Sequence, residues 1–239
     1  MFGRLPAVKH PTMSKTKISK KGKAVVLLSG GLDSATVLYF AKHKSFLPFC
    51  LTFDYGQRHK REIKAASKIA HACGCVWQLV KFKLPWKGSA LLDRRVPIPM
   101  VPQAGEKIPP TYVPARNIIF LSFAASFAQT IKATSIFIGA NEVDFSGYPD
   151  CRLKFLQAFT VALKLGMEST VRKPGLVIYT PLSKMDKAQI VELAVKLNVP
   201  LALTWSCYRG ERRPCGRCDS CRFRQRGFEK ANIKDPLYV

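Results

Sequence analysis

Ala24-Val25-Val26-Leu27-Leu28-Ser29-Gly30-Gly31-Leu32-Asp33-Ser34 reads as an apolar strand that ends in a small, polar, glycine-rich turn and opens onto a helix. Such a turn is built to hold phosphate. Backbone N–H groups exposed by Gly30 and Gly31, together with the positive end of a helix beginning near Asp33, make an anion site, and Ser29 and Ser34 add hydroxyls. A Walker A loop needs Lys-Ser/Thr after its last glycine to reach the terminal phosphate and magnesium; Leu32-Asp33-Ser34 stands there instead. The competing reading is a plain tight turn with the serines as helix caps.

Working outward, the chain repeats a strand–helix alternation. Strands are expected at 24–28, 47–53, 76–82, 135–138 and 176–179, and helices at 34–42, 60–72, 115–130, 151–165 and 186–197. Strands apolar on both faces argue for a parallel sheet with helices on both sides. The stretch 84–114 carries Pro85, Pro97, Pro99, Pro102, Pro109, Pro110 and Pro114, which predicts a long loop of the kind that covers binding sites. In open parallel sheets ligands bind at the carboxyl ends of the strands. Three polar stretches are expected there: Ser29 to Ser34, Asp54-Tyr55-Gly56-Gln57-Arg58-His59, and Gly139-Ala140-Asn141-Glu142-Val143-Asp144.

At 239 residues the chain can bury roughly three quarters of its surface as one large unit. The apolar stretch 118–131 is interrupted by Ser122, Ser126 and Gln129 and falls short of the about 20 apolar residues that span a bilayer. Residues 1–23 carry Arg4, Lys9, Lys15, Lys17, Lys20, Lys21 and Lys23 without an apolar core, so they read as a basic, disordered arm rather than a signal peptide. Met13 as a second start and a transit peptide are alternatives for that arm. No membrane contact and a cytoplasmic location are expected. The 39 Lys+Arg against 15 Asp+Glu, a net charge of +24, point to anionic small molecules or nucleic acid as partners.

Cys207, Cys215, Cys218 and Cys221 follow the spacing C-x7-C-x2-C-x2-C. Two overlapping C-x2-C pairs and one more distant cysteine can complete a tetrahedron around a metal, zinc first and an iron–sulfur cluster second. Disulfides need an oxidising compartment, for which no secretion signal speaks. Four thiolates leave zinc no open position, so the site reads as structural. It would pin the segment around Trp205-Ser206 onto the main domain. Cys50, Cys73 and Cys75 read as buried, inert thiols.

The Ser-Gly-Gly-x-Asp-Ser turn resembles the pyrophosphatase loop of the N-type ATP pyrophosphatases, in which an Asp placed like Asp33 helps to hold magnesium. From about Lys23 to Phe228 the chain resembles the 7-cyano-7-deazaguanine synthases of queuosine precursor synthesis. The resemblance rests on Ser29 to Ser34, Asp54 to His59, Tyr112-Val113-Pro114-Ala115-Arg116-Asn117, Gly139-Ala140-Asn141, Asp144-Phe145-Ser146-Gly147-Tyr148-Pro149-Asp150-Cys151-Arg152, and Thr204-Trp205-Ser206-Cys207-Tyr208 beside the other zinc-spaced cysteines. Phe145 stands where Tyr is usual, Leu153 and Lys154 where Pro and Glu are usual, and the basic arm is extra.

The resemblance implies an adenine-nucleotide alpha-hydrolase-like α/β fold. Its parallel sheet would carry helices on both faces, with an ATP-binding domain at 24–200 and a small C-terminal four-cysteine zinc segment at 201–239. It implies a homodimer with ATP, magnesium and zinc, and a ligase that joins 7-carboxy-7-deazaguanine and ammonium into the nitrile through adenylated carboxylate and amide intermediates. Ser29, Gly30, Gly31, Leu32, Asp33, Ser34, Asp54 and Gly139 would bind the nucleotide. Ser29, Asp33, Ser34, Arg58, His59 and Arg116 would serve the chemistry, the last three as cations. Tyr112, Arg116, Asn117, Asp144, Tyr148 and Asp150 would bind the substrate. The two aspartates have an equal competing reading as caps of turns or helices, and Cys151 needs no catalytic part. Three rivals remain: a tRNA-thiolating relative, which lacks here a second C-x2-C pair, an amide-forming relative, and a zinc-containing nucleic-acid-binding protein.

Overall fold

The apolar run at the start of the chain becomes the central strand of a five-stranded sheet. The computed structural model describes residues 22–100, 108–141, 148–167 and 175–238. Strand β1 (Lys23–Leu27) pairs in parallel with β2 (Leu47–Asp54) and with β4 (Ser135–Phe137). β2 pairs with β3 (Val76–Lys81) and β4 with β5 (Val177–Tyr179), again in parallel, giving the order β3-β2-β1-β4-β5. The expected strands all form, within one or two residues of their predicted ends.

Side chains alternate across a strand, which explains why β1 is apolar throughout. Ala24, Val26 and Leu28 enter one core with helices α1 (Leu32–His43) and α2 (Arg61–Cys73), while Val25 and Leu27 enter the other with α3 (Arg116–Thr130). Helix α4 (Leu153–Gly166) joins the α3 side through Leu156. Helices α5 (Lys187–Lys196) and α6 (Asp219–Lys230) join the α1 side through Ile190, Val191, Ala194 and Phe228. The sheet is thus covered on both faces, as an all-parallel sheet must be. Helix α2 ends on Gly74 in the left-handed conformation, which returns the chain to β3. That places Cys73 and Cys75 at the helix end; Cys50 and Cys73 are buried and Cys75 partly so.

Two differences from the sequence reading stand out. The helix expected from residue 151 starts at Leu153, because residues 149–151 close a separate 3-10 turn and Arg152 is extended (φ −71°, ψ 141°). Helix α6 has no counterpart in the reading of 201–239 as a zinc segment. Its buried positions Cys221, Arg224 and Phe228 follow helical spacing, but one of them is an arginine, which hides the apolar stripe. Among the described residues, 84–100 and 108–114 contain no helix or strand, as their prolines predict. The basic arm at 1–21 and Asp144 lie outside the described residues. Among the described residues no helix is long and apolar enough to cross a membrane.

The strand order changes direction between β1 and β4: the chain moves outward from β1 through β2 to β3, then returns to the other side of β1. Such a switch point leaves a crevice at the carboxyl ends of the strands.

Candidate active site

The turn after β1 holds its shape through its own side chains. Gly30 sits at φ +90°, where a Cβ would lie 2.2 Å from the Glu62 carbonyl oxygen and 2.7 Å from the Ala66 nitrogen, so only glycine lets the first turn of α2 press against it. The Ser34 hydroxyl accepts from the Ser29 N–H (3.2 Å), and the two seryl oxygens are 3.0 Å apart. Gly31, not a serine, is the N-cap of α1, and no side chain caps that helix. The serines therefore brace the turn, while the first N–H groups of α1 are left without a side-chain cap, the arrangement that accepts an anion. Gly139, after β4, lets that strand's end approach the backbone of Asp33 and Ser34, since a Cβ there would be 3.2 Å from it.

The turn forms one wall of a cavity of about 540 Å³ at the carboxyl ends of β1, β2 and β4. Ser29, Gly31, Leu32, Asp33, Ser34, Arg58, His59, Arg116, Asn117, Gly139 and Tyr148, all named from sequence, line it. The structure thus brings together parts separated by more than a hundred residues. Asp33 accepts from the Lys187 ammonium through both carboxylate oxygens (2.9 and 2.8 Å). Lys187 begins α5 and lies against Gly227 of α6, where a Cβ would collide with it. Nothing local in the sequence marks Lys187, since its partner is 154 residues away.

Arg58 donates to the carbonyls of Arg94 (2.7 Å) and Val96 (3.3 Å), so its guanidinium fastens the proline-rich loop over the cavity. Burial pushes the His59 imidazole below its usual pKa, against the backbone of Cys207, and its Nδ1 is buried without a hydrogen-bond partner. Arg116 rests over the rings of Tyr55 (6.0 Å) and Tyr148 (5.8 Å) and donates to the Tyr55 hydroxyl (3.3 Å). The Tyr55 phenol, buried, is pushed up to about 12 despite the adjoining Arg116, so it stays protonated.

Gly30, Asp54, Tyr112 and Asp150 do not line the cavity. Asp54 is paired with Lys60 at 2.7 Å. The Tyr112 hydroxyl accepts from the Ala115 N–H (3.2 Å), and its ring lies 5.4 Å from that of Tyr148. Asp150 is buried; its Oδ2 accepts from the Asn117 N–H (2.9 Å) in the first turn of α3, and its Oδ1 has no partner. That geometry is the capping alternative raised for it.

Glu62 was not singled out in the sequence, although it stands three residues beyond His59. Gln57 is locked by the Tyr55 N–H to its oxygen (2.9 Å) and by its own donation to the Phe53 carbonyl (3.0 Å), and from there donates to Glu62 Oε1 (3.1 Å). Burial raises the Glu62 carboxyl above the usual range, with Arg116 and the Gln57 hydrogen bond pulling the other way.

Cys207, Cys215, Cys218 and Cys221 converge, with all four sulfurs within 4.8 Å of one another. The backbone N–H groups of Cys215 and Cys218 point at the sulfurs of Cys207 and Cys215 (3.4 Å each). Hydrogen bonds from Cys218 and Cys221 hold the Cys207 thiol well below its ordinary pKa. A cluster of four sulfurs with converging backbone donors fits a tetrahedral soft-metal site. Beside it, the Trp205 N–H donates to the Gly30 carbonyl (2.8 Å), and the Arg61 guanidinium lies 5.0 Å over the indole.

The model of the queuosine biosynthesis protein QueC family matches residues 23–232. The chain belongs to the QueC family. A 7-cyano-7-deazaguanine synthase of Thermoplasma volcanium is 48% identical over 217 residues, covering 90% of this chain and 90% of that relative. One of Clostridium kluyveri is 48% identical over 218 residues, covering 90% of this chain and 96% of the relative. A solved structure, the NMN synthetase of Francisella tularensis, aligns at 13% identity with a TM-score of 0.48, covering 90% of this chain and 78% of that one. Within the QueC match lie the glycine-rich turn after β1, the Tyr55–Glu62 segment, Arg116 and all four clustered cysteines.

Proposed function

We propose that this protein converts 7-carboxy-7-deazaguanine and ammonia to 7-cyano-7-deazaguanine, spending ATP to AMP and pyrophosphate. The observation that carries the reading is the uncapped start of α1 behind Ser29–Ser34, opening into the same cavity as Arg116 and Asn117, in a chain of the QueC family. ATP phosphates would lie on the N–H groups of that turn. Asp33, at the first turn of α1, is the carboxylate suited to a magnesium ion, which would neutralise phosphate charge. Lys187, which holds Asp33 and lines the same cavity, brings a cation to that turn.

The substrate carboxylate is a poor electrophile. Its oxygen attacks the α-phosphorus, pyrophosphate departs, and the carboxyl carbon then carries AMP as a leaving group. Ammonia displaces AMP to give the amide. The amide oxygen then attacks the α-phosphorus of a second ATP with departure of pyrophosphate, and loss of that oxygen with AMP, the two N–H protons passing to solvent, leaves carbon triply bonded to nitrogen. Each activation builds charge on phosphorus and on the departing pyrophosphate, which the N–H groups of the turn and Lys187 stabilise. Arg116 anchors the anionic substrate end, and Asn117 and Tyr148 shape its site; no protein nucleophile is needed.

Residues 24–200 serve as the ATP-binding unit and 201–239 as a segment closed by zinc on its four cysteines. The Trp205-to-Gly30 hydrogen bond supports a coupling between the two. A homodimer is part of the reading, supported by Ile118 and Phe123 of α3 and Leu165 of α4, large apolar side chains left exposed. The net charge leaves nucleic acid as a secondary partner. The test is mass spectrometry of the products formed from magnesium-ATP, ammonium and 7-carboxy-7-deazaguanine. Nitrile with AMP is expected; amide alone would move the protein to an amide-forming activity, and no turnover by folded, zinc-loaded protein would overturn the reading.

A further inference from the structure

Asp33, Glu62 and Asp219 are the carboxylates that line the cavity among the described residues. Lys187 holds Asp33 at 2.8 Å and Arg222 holds Asp219 at 2.7 Å, whereas among the described residues Glu62 forms no ion pair and accepts one hydrogen bond, from Gln57. Its own backbone carbonyl abuts Gly30, which anchors the residue beside that turn, and Glu62 lines the same cavity. Arg116 acts on it as a charge but makes no ion pair with it among the described residues, and a carboxylate in a cavity meant for a triphosphate and a carboxylate substrate is repulsive to both unless a further cation comes between them.

Two cations are available to the reaction. Magnesium is held by one or two carboxylates together with substrate phosphates, a place already given to Asp33 at the start of α1, and one oxygen of Glu62 is tied to Gln57. The walls beside it are aromatic, with Tyr55 and Phe120 at 5.4 Å between ring centroids, and both line the cavity. A small cation with N–H donors suits a carboxylate backed by aromatic faces.

Resting on the proposed ligase reaction, we propose that Glu62, held by Gln57, binds ammonium and is the general base that releases ammonia from it. One proton passes from ammonium to Glu62. The freed lone pair forms the C–N bond at the adenylated carboxyl carbon, and the C–O bond to AMP breaks with its electron pair remaining on the phosphate oxygen. The second proton that nitrogen loses as the amide forms leaves with AMP, and Glu62 returns its proton to solvent. A raised carboxyl pKa suits a group that must accept a proton from ammonium. Gln57 acts through Glu62 and is a positioning residue.

The experiment compares zinc-loaded wild type with Glu62→Gln in three assays: exchange of labelled pyrophosphate into ATP with 7-carboxy-7-deazaguanine and no amine, initial rates against ammonium concentration, and hydroxamate formation with hydroxylamine, an amine that is uncharged near neutral pH. The expected result is a loss of kcat/KM for ammonium of about 100-fold, with exchange and hydroxamate formation retained. Equal loss with ammonium and hydroxylamine, or loss of exchange, would overturn the base and place Glu62 in adenylation. If wild type itself shows no exchange, the ligase reading falls and takes this proposal with it. Should Glu62→Gln not fold, Glu62→Asp is measured instead, with a selective rise in the KM for ammonium expected and an unchanged KM overturning the proposal.

Discussion

At the residue scale the site depends on positions where one atom decides the outcome. Gly30→Ala would add a Cβ 2.2 Å from the Glu62 carbonyl oxygen at φ +90°. The conformation alone costs an L-residue about 1–2 kcal/mol, and the contact is with backbone, so the first turn of α2 must move. A stability loss above that figure in urea unfolding is expected, along with weaker ATP protection against heat. Glu62 gives a prediction with a definite sign. Its carboxyl binds its proton more tightly in the folded protein, chiefly because it is buried, with the Arg116 charge and the Gln57 hydrogen bond opposing. That contribution favours folding below the unfolded-state pKa and is lost as pH rises through the folded one. Glu62→Gln removes the dependence. The variant should therefore gain in melting temperature relative to wild type between about pH 4 and about pH 8; calorimetry at both values checks it, and a flat difference would show Arg116 compensating fully.

At the element scale, α3 is the helix whose start matters most, because Arg116 and Asn117 occupy its first turn. Ala115, its N-cap, lies at φ 55° and offers no capping side chain. The acceptor comes instead from Asp150 in the 3-10 turn before α4. Asp150→Ala should cost about 1 kcal/mol, whereas Asp150→Asn keeps an oxygen for the Asn117 N–H and should cost little. Urea unfolding of the two variants separates capping from substrate binding: an Asn variant that unfolds like wild type yet loses substrate affinity would return Asp150 to the binding site. The mismatch between the expected start of the helix at 151 and its observed start at Leu153 has the same origin. The 3-10 turn carries the capping aspartate toward α3, so this segment is shaped by a neighbour rather than by its own propensity.

At the scale of the whole molecule, the C-terminal segment is tied to the phosphate turn by a continuous route. Asp235 pairs with Arg224 at 2.6 and 2.9 Å, with the two side chains only 6% and 2% exposed. Arg224 also donates to Thr204 Oγ1 (2.7 Å), and the next residue, Trp205, donates its N–H to Gly30. Asp235→Ala would leave a buried guanidinium without its partner and should destabilise by roughly 3–5 kcal/mol. Stripping metal from the four cysteines with a chelator should lower the melting temperature and quench or shift Trp205 fluorescence together. A fall in melting temperature with no change at Trp205 would uncouple the metal site from the loop.

What the sequence by itself determined is whatever short-range spacing encodes: the alternation of strands and helices, the glycine-rich turn after β1, the loop of prolines and the cysteine spacing. In each case the physical cause lies within a few residues, in steric freedom, periodicity or the reach of adjacent ligands. Asp54 and Tyr112 were named for the cavity by their place in a motif, yet Asp54 pairs with Lys60 and Tyr112 packs behind the wall. Only the tertiary structure decided that Lys187 meets Asp33 from 154 residues away, that Trp205 holds Gly30, and that Glu62 is the cavity carboxylate left without an ion pair. These contacts join distant segments across the switch point, and the charge states depend on burial. Neither has a local signature, because the energy of such a pair is fixed by its separation in space and by the water excluded around it.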